Sequence, residues 1–246
     1  MVMSLTWLDL TRPLVDGMGV YPGDPAVALS PALTLADDGV AVLRLDLGTH
    51  TGTHVDAPAH TQHGGRTVDA LTRDELCGPT FVLGLPGLSP SEAIPGARLD
   101  ALLPHGDLPP RVLIATGWDA RFADDAAREA HPFLSAEAAR LLWRRGVRLI
   151  GVDTLSPDRT VRTDAPVSPD DDAAPAFPVH ARFLGGDEII IENLAGLCAL
   201  RPETTPSDAD WCAAVEMEAH PLPIAGGDGA PARVWARPLL ATEDAA

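Results

Sequence analysis

The stretch SAEAARLLWRRGVRLIGVD, Ser135 to Asp153, predicts a helix that feeds straight into a strand. Ser135 can cap the helix, because its hydroxyl accepts from a backbone N–H of the first turn. Glu137 falls in that turn and Arg144 and Arg145 in the last one, where their charges suit the helix dipole. Gly146 follows as a stop. Val147 to Val152 is then an apolar run of strand length, ending on Asp153. A helix followed at once by such a strand is one α/β unit, with the catalytic side expected at the strand's C-terminal end. Asp153, at that end, reads as supporting structure.

Working outward, Ala41 to Leu47 (AVLRLDL) alternates apolar and polar residues and predicts a half-buried strand. Phe81 to Leu85, Val112 to Ala115 and Glu188 to Glu192 are further apolar or β-branched runs of strand length. The tail from Glu203 holds a strand pair, CAAVEMEAH and ARVWARP, around the turn-forming AGGDG. Asp164 to Pro178, with its DDD run and four prolines, must be a loop, of a length typical of lids or disordered segments. The 24 prolines and 22 glycines are spread throughout, as suits many short elements joined by turns. With no repeat and no linker, residues 1–246 read as a single domain. At 46% hydrophobic, the chain can bury one sizeable core.

Composition removes several functions. The net charge of −17 argues against a nucleic-acid partner, which needs a basic face. All 18 basic residues are arginines, so Schiff-base and P-loop chemistry, both dependent on lysine, are excluded. The acidity itself reads as a solvated surface. Cys77, Cys198 and Cys212 lie far apart, suit neither disulfides nor a thiolate zinc site, and are expected to be ordinary core or subsurface thiols. No apolar run approaches the ~20 residues of a membrane span, and the N-terminus has no signal-peptide pattern. A cytoplasmic protein with no membrane partner is expected.

Chemistry concentrates in His50-Thr-Gly-Thr-His54-Val-Asp56-Ala-Pro-Ala-His60. His50 and His54 have the i,i+4 spacing of a helical metal pair, but the glycines, threonines, Val55 and Pro58 are poor helix material. In an extended chain, positions 50, 54 and 56 share parity and project from one face; position 60 shares it too, past the proline. Three imidazoles and a carboxylate on one face are costly without a cation and form an N/O ligand set with one, suited to zinc and also to manganese or iron. A catalytic site keeps an open position for water, whose pKa on zinc falls near 7. One of the four residues can then be a general base, and His60, beyond the proline, is the natural candidate.

HTGTHVDAPAH resembles the hallmark HxGTHxDxPxH of the cyclase family of metal-dependent hydrolases, which includes bacterial kynurenine formamidases and isatin hydrolase. Four more segments resemble the family in the expected order: Asp9-Leu-Thr-Arg-Pro13-Leu, Tyr21-Pro-Gly-Asp24, Gly151-Val-Asp-Thr154, and His180 followed by Glu192 in IIIENL. The likeness runs from about residue 6 to 200, leaving a C-terminal extension of 203–246.

The resemblance implies an α/β fold with a mixed, barrel-like sheet flanked by helices, in a homodimer or homotetramer. It implies one or two Zn2+ ions, with Mn2+ as the alternative. His50, His54 and Asp56 would hold the first ion, Asp56 would bridge to a second, and His180 and Glu192 would complete that second site. His60 would act as proton donor and acceptor. Tyr21 would line the substrate pocket where formamidases usually place a tryptophan. Read locally, His180 could simply sit on a short helix and Asp24 in a turn. Glu192, ending an apolar strand, needs a partner or a metal. The implied activity is hydrolysis of a small-molecule amide, foremost N-formylkynurenine to kynurenine and formate in tryptophan catabolism. The alternatives are an isatin-type cyclic amide, a metal-dependent cyclase or dehydratase, and a non-catalytic metal-binding protein.

Overall fold

The computed structural model describes residues 6–106, 108–161 and 176–239. Twelve strands occur among them. In chain order they are β1 (Leu8–Asp9), β2 (Ala28–Leu33), β3 (Val42–Asp46), β4 (His54–Asp56), β5 (Cys77–Gly84), β6 (Ala93–Ile94), β7 (Arg111–Ala115), β8 (Phe133–Leu134), β9 (Leu149–Val152), β10 (Ile189–Glu192), β11 (Trp211–Pro221) and β12 (Gly229–Pro238). The large sheet runs β12-β11-β5-β7-β9-β10-β4, and β4 pairs again with β12 to close a seven-stranded ring. Strands β5, β7, β9 and β10 are mutually parallel; β4, β11 and β12 pair antiparallel with their neighbours. Closure leaves the ring without a free edge along which another chain could add. Opposite β11, β12 offers its remaining edge to β4 at Gly229–Pro231 and to β1 at Trp235–Ala236.

Side chains alternate between the two faces of each strand, and so two cores form. Val55, Val82, Leu113, Leu149, Ile191, Val215 and Val234 come from all seven strands and fill the ring. Leu83, Val112, Ile114, Ile150 and Ile190 face outward against helices. The helix predicted at Ser135 is one of these. It spans Ala136–Arg144, the Ser135 hydroxyl accepts from the amide of Ala138 at 3.1 Å, and Ala138, Ala139 and Leu142 are buried. A second helix, Pro178–Phe183, buries Val179 and Phe183 in the same outer core as Ile190. Each such side chain contributes roughly 1.5–3 kcal/mol, which seats the helix, and His180 with it, against the outside of the ring.

The helix, the strands and the C-terminal strand pair lie where the sequence placed them, and the fold is the expected mixed barrel with flanking helices. Three expectations change, and a fourth lies largely outside the described residues. The strand at Ala41–Leu47 exists as β3, but all five of its residues are exposed, because nothing among the described residues packs upon the β2–β3 hairpin there. His50, His54, Asp56 and His60 do not share one extended face: β4 holds only three residues, and His60 ends a short 3-10 turn, Pro58–His60. Cys198 is exposed instead of subsurface, though burial of its thiol and nearby carboxylates push its pKa up to about 11. The predicted loop Asp164–Pro178 lies outside the described residues from 164 to 175, and its last residue opens the helix Pro178–Phe183. No helix among the described residues is long and apolar enough to cross a membrane.

Candidate metal centre

Register in the sheet builds the centre. Glu192 of β10 stands directly across from His54 of β4, and Ile190 across from Asp56. Val55 and Ile191 fill the ring, so His54, Asp56 and Glu192 face outward on the same side. His54 Nε2 lies 3.1 Å from Asp56 Oδ1 and 3.4 Å from Glu192 Oε2. The helix seated on that side brings His180 Nε2 within 3.7 Å of Asp56 Oδ2 and 3.3 Å of Glu192 Oε1.

His50 arrives by a turn. Gly52, at φ +64°, reverses the chain just before β4, a conformation that L side chains rarely adopt. The His50 ring then lies against the backbone of Gly229, where an added Cβ would come within 2.8 Å of its Cε1. His50 Nδ1 sits 2.7 Å from Asp56 Oδ1. His60, carried by Pro58 at the start of its turn, packs beside it with ring centroids 3.9 Å apart; its centroid is 5.8 Å from that of His180. Thus the structure brings together all six residues that the sequence singled out around a metal.

The distal nitrogen of each inner histidine is occupied. His54 Nδ1 is 2.9 Å from the carbonyl of Gly52, His180 Nδ1 is 2.7 Å from Asp158 Oδ2, and His50 Nε2 is 3.0 Å from Asp228 Oδ2. An imidazole that donates its one proton outward presents a lone pair inward, as a metal ligand must. Meanwhile His54 Nε2, Asp56 Oδ2 and Glu192 Oε1 are buried with no hydrogen-bond partner. Buried polar atoms are rarely left so. Two groups sharing Asp56, namely His50/His54/Asp56 and Asp56/His180/Glu192, each offer ligand atoms within 4.8 Å of one another. This donor set fits a divalent cation.

Charge tells the same story. Burial alone would lower His54 and His180 and raise Asp56 and Glu192. Against burial, Asp56 beside His54, and Asp158 with Asp56 and Glu192 beside His180, hold both imidazoles well above their usual pKa. In turn, burial and the charge of Asp56 oppose ionisation of Glu192, yet His180 and His54 win and lower it; Asp56 falls well below the usual range. Positive charge on the rings thus keeps the carboxylates ionised, and a divalent cation supplies that charge while releasing the ring protons. His60 differs. Burial is the largest influence on it and lowers its pKa, which leaves the ring neutral with a nitrogen free to accept a proton.

The centre forms the floor of a cavity of roughly 430 Å³, within the range of small-molecule sites. Tyr21 lines it as expected, edge-on to Phe177 with centroids 6.4 Å apart. The Tyr21 hydroxyl is engaged, accepting from the amide of Val161 at 2.8 Å. Asp24 both closes the turn at Tyr21 and lines the cavity. Phe177, Leu155, Asp158 and Asp228 went unnoticed in the sequence. Asp158 and Asp228 lie far along the chain from the histidines they hold, with no local motif around them; Asp228 reads there as part of a turn. As expected, Asp153 is support: its carboxylate accepts from the Thr116 and Gly117 amides and the Thr116 hydroxyl, tying the ends of β9 and β7.

The Cyclase family profile matches residues 8–159. The chain belongs to the Cyclase family. A relative, the kynurenine formamidase of Geobacillus thermodenitrificans (strain NG80-2), is 30% identical over 239 residues, covering 96% of this chain and 100% of the relative. A solved structure called a predicted metal-dependent hydrolase, from Bacillus stearothermophilus, is 27% identical with a TM-score of 0.67, covering 94% of this chain and 97% of that one. Isatin hydrolase A from Ralstonia solanacearum is 25% identical with a TM-score of 0.69, covering 94% and 91%.

Proposed function

We propose that this Cyclase-family chain is a metal-dependent hydrolase of a C–N amide bond, and that its substrate is an aryl formamide of the N-formylkynurenine type. One observation carries the reading: buried ligand atoms without hydrogen-bond partners cluster in two groups that share Asp56, with a neutral histidine beside them, under an aromatic-walled cavity. The names of the relatives support it. His50, His54 and Asp56 would hold one cation, and Asp56, His180 and Glu192 a second, zinc or manganese. Such a cation lowers the pKa of water and polarises a carbonyl.

The rest falls to the chain's own side chains. Tyr21 and Phe177, packed edge to face, would offer an aryl group one aromatic wall and leave the amide over the histidines. His60, neutral because burial lowers its pKa, can take a proton from the attacking water at Nε2 or Nδ1. The same ring, once protonated, returns the proton to the leaving nitrogen.

His60→Ala tests the division of labour. We expect unchanged metal content and a fall in kcat of roughly 10²–10⁴-fold; loss of one metal equivalent would make His60 a ligand. A panel of N-formylkynurenine against isatin, with zinc or manganese added, separates the aryl formamide from the cyclic amide. A product without solvent oxygen would point to a cyclase or dehydratase instead.

A further inference from the structure

We propose that Asp228 is a positioning residue of the metal centre: its carboxylate holds the His50 ring by Nε2 so that Nδ1 faces Asp56. The inference rests on the metal reading above. Asp228 Oδ2 stands 3.0 Å from His50 Nε2, and its other oxygen accepts from the Thr49 hydroxyl at 2.9 Å. A neutral imidazole carries one proton. With Nε2–H given to Asp228, Nδ1 is left facing Asp56 Oδ1 at 2.7 Å, so that a cation displacing the Nδ1 proton meets its lone pair beside the carboxylate.

His54 and His180 obtain the same service from partners that are themselves buried, the Gly52 carbonyl and Asp158. Asp228 does it from a turn, with 43% of its side chain exposed. The sheet sets its place: Gly229 pairs with Asp56, and the Asp228 carbonyl accepts from the Ala57 amide at 2.9 Å. The same Oδ2 lies 3.6 Å from His60 Nδ1. One oxygen therefore faces both the ring that would bind metal and the ring that would move the proton.

The experiment compares wild type, Asp228→Ala and Asp228→Asn by chelator competition for zinc, with the visible spectrum of the cobalt-loaded proteins as a second readout. The asparagine oxygen can still accept from His50 Nε2–H. We expect Asp228→Ala to bind one metal equivalent roughly 10–100-fold more weakly with an altered cobalt spectrum, and Asp228→Asn to recover most of the affinity. Unchanged far-UV circular dichroism of both metal-free variants excludes a folding defect. Wild-type affinity in Asp228→Ala would overturn the proposal, and so would equal weakness of the two variants, since charge alone would then be acting. A wild-type protein that takes up no divalent cation would sink the metal reading itself, and this inference with it.

Discussion

Asp153 is a fully buried carboxylate with three hydrogen-bond donors around it, and burial still pushes its pKa from 3.8 to about 7. The folded state therefore holds this proton more tightly than the unfolded chain does. The resulting stability is complete below pH 3.8 and is lost as the pH rises through about 7. Across that window the slope approaches about 1.4 kcal/mol per pH unit. Asp153→Asn can turn its amide to keep the two backbone donors, so its melting temperature should decline less than that of wild type between pH 5 and 8. Parallel profiles for the two proteins would refute the shift. Legibility at this scale followed distance along the chain. His50, His54, Asp56 and His60 were readable because four metal-binding side chains within eleven residues have few other uses. Asp158 and Asp228 were not, since an isolated aspartate acquires its role only from what the fold sets beside it.

Strand β4 shows what pattern reading resolves at the level of an element and what it misses. Shared parity of His54 and Asp56 was correct; extending it to His50 and His60 was not, because Gly52 and Pro58 each bend the chain. The ligands converge by a turn on one side and a 3-10 turn on the other. Likewise, alternation in AVLRLDL correctly marked a strand, yet alternation cannot say whether anything covers the apolar face. The β4–β12 pairing is tight at Gly229, where a Cβ would come within 2.7 Å of the Val55 carbonyl as well as against the His50 ring. Gly229→Ala should cost about 1–3 kcal/mol, read as a lower urea midpoint, and should weaken metal binding by displacing His50. A variant as stable as wild type would mean that the two strands separate at no cost.

For the whole molecule, the exposed hairpin is the feature that this chain leaves unexplained alone. Leu33, Leu35, Val40, Val42, Leu43 and Leu45 are all exposed, Leu35 at 72%, and neighbouring residues of β3 point to opposite faces. An apolar surface of this kind marks an interaction site. Among the described residues both faces are bare, and two hairpins exchanged about a two-fold axis would cover both symmetrically. We propose that a second copy covers it, in keeping with the dimer or tetramer implied by the family resemblance. Leu43→Glu with Leu45→Glu should lower the mass measured by light scattering to that of one chain, 25.8 kDa; an unchanged mass rejects the hairpin as the interface. Ring closure has a consequence of its own. Every candidate ligand is synthesised before Gly229, but β4 gains its second neighbour, and His50 its carboxylate, only when β12 emerges. A nascent chain thus holds all the ligand side chains before His50 is held in place, and the whole ligand set is assembled only when β12 closes the ring.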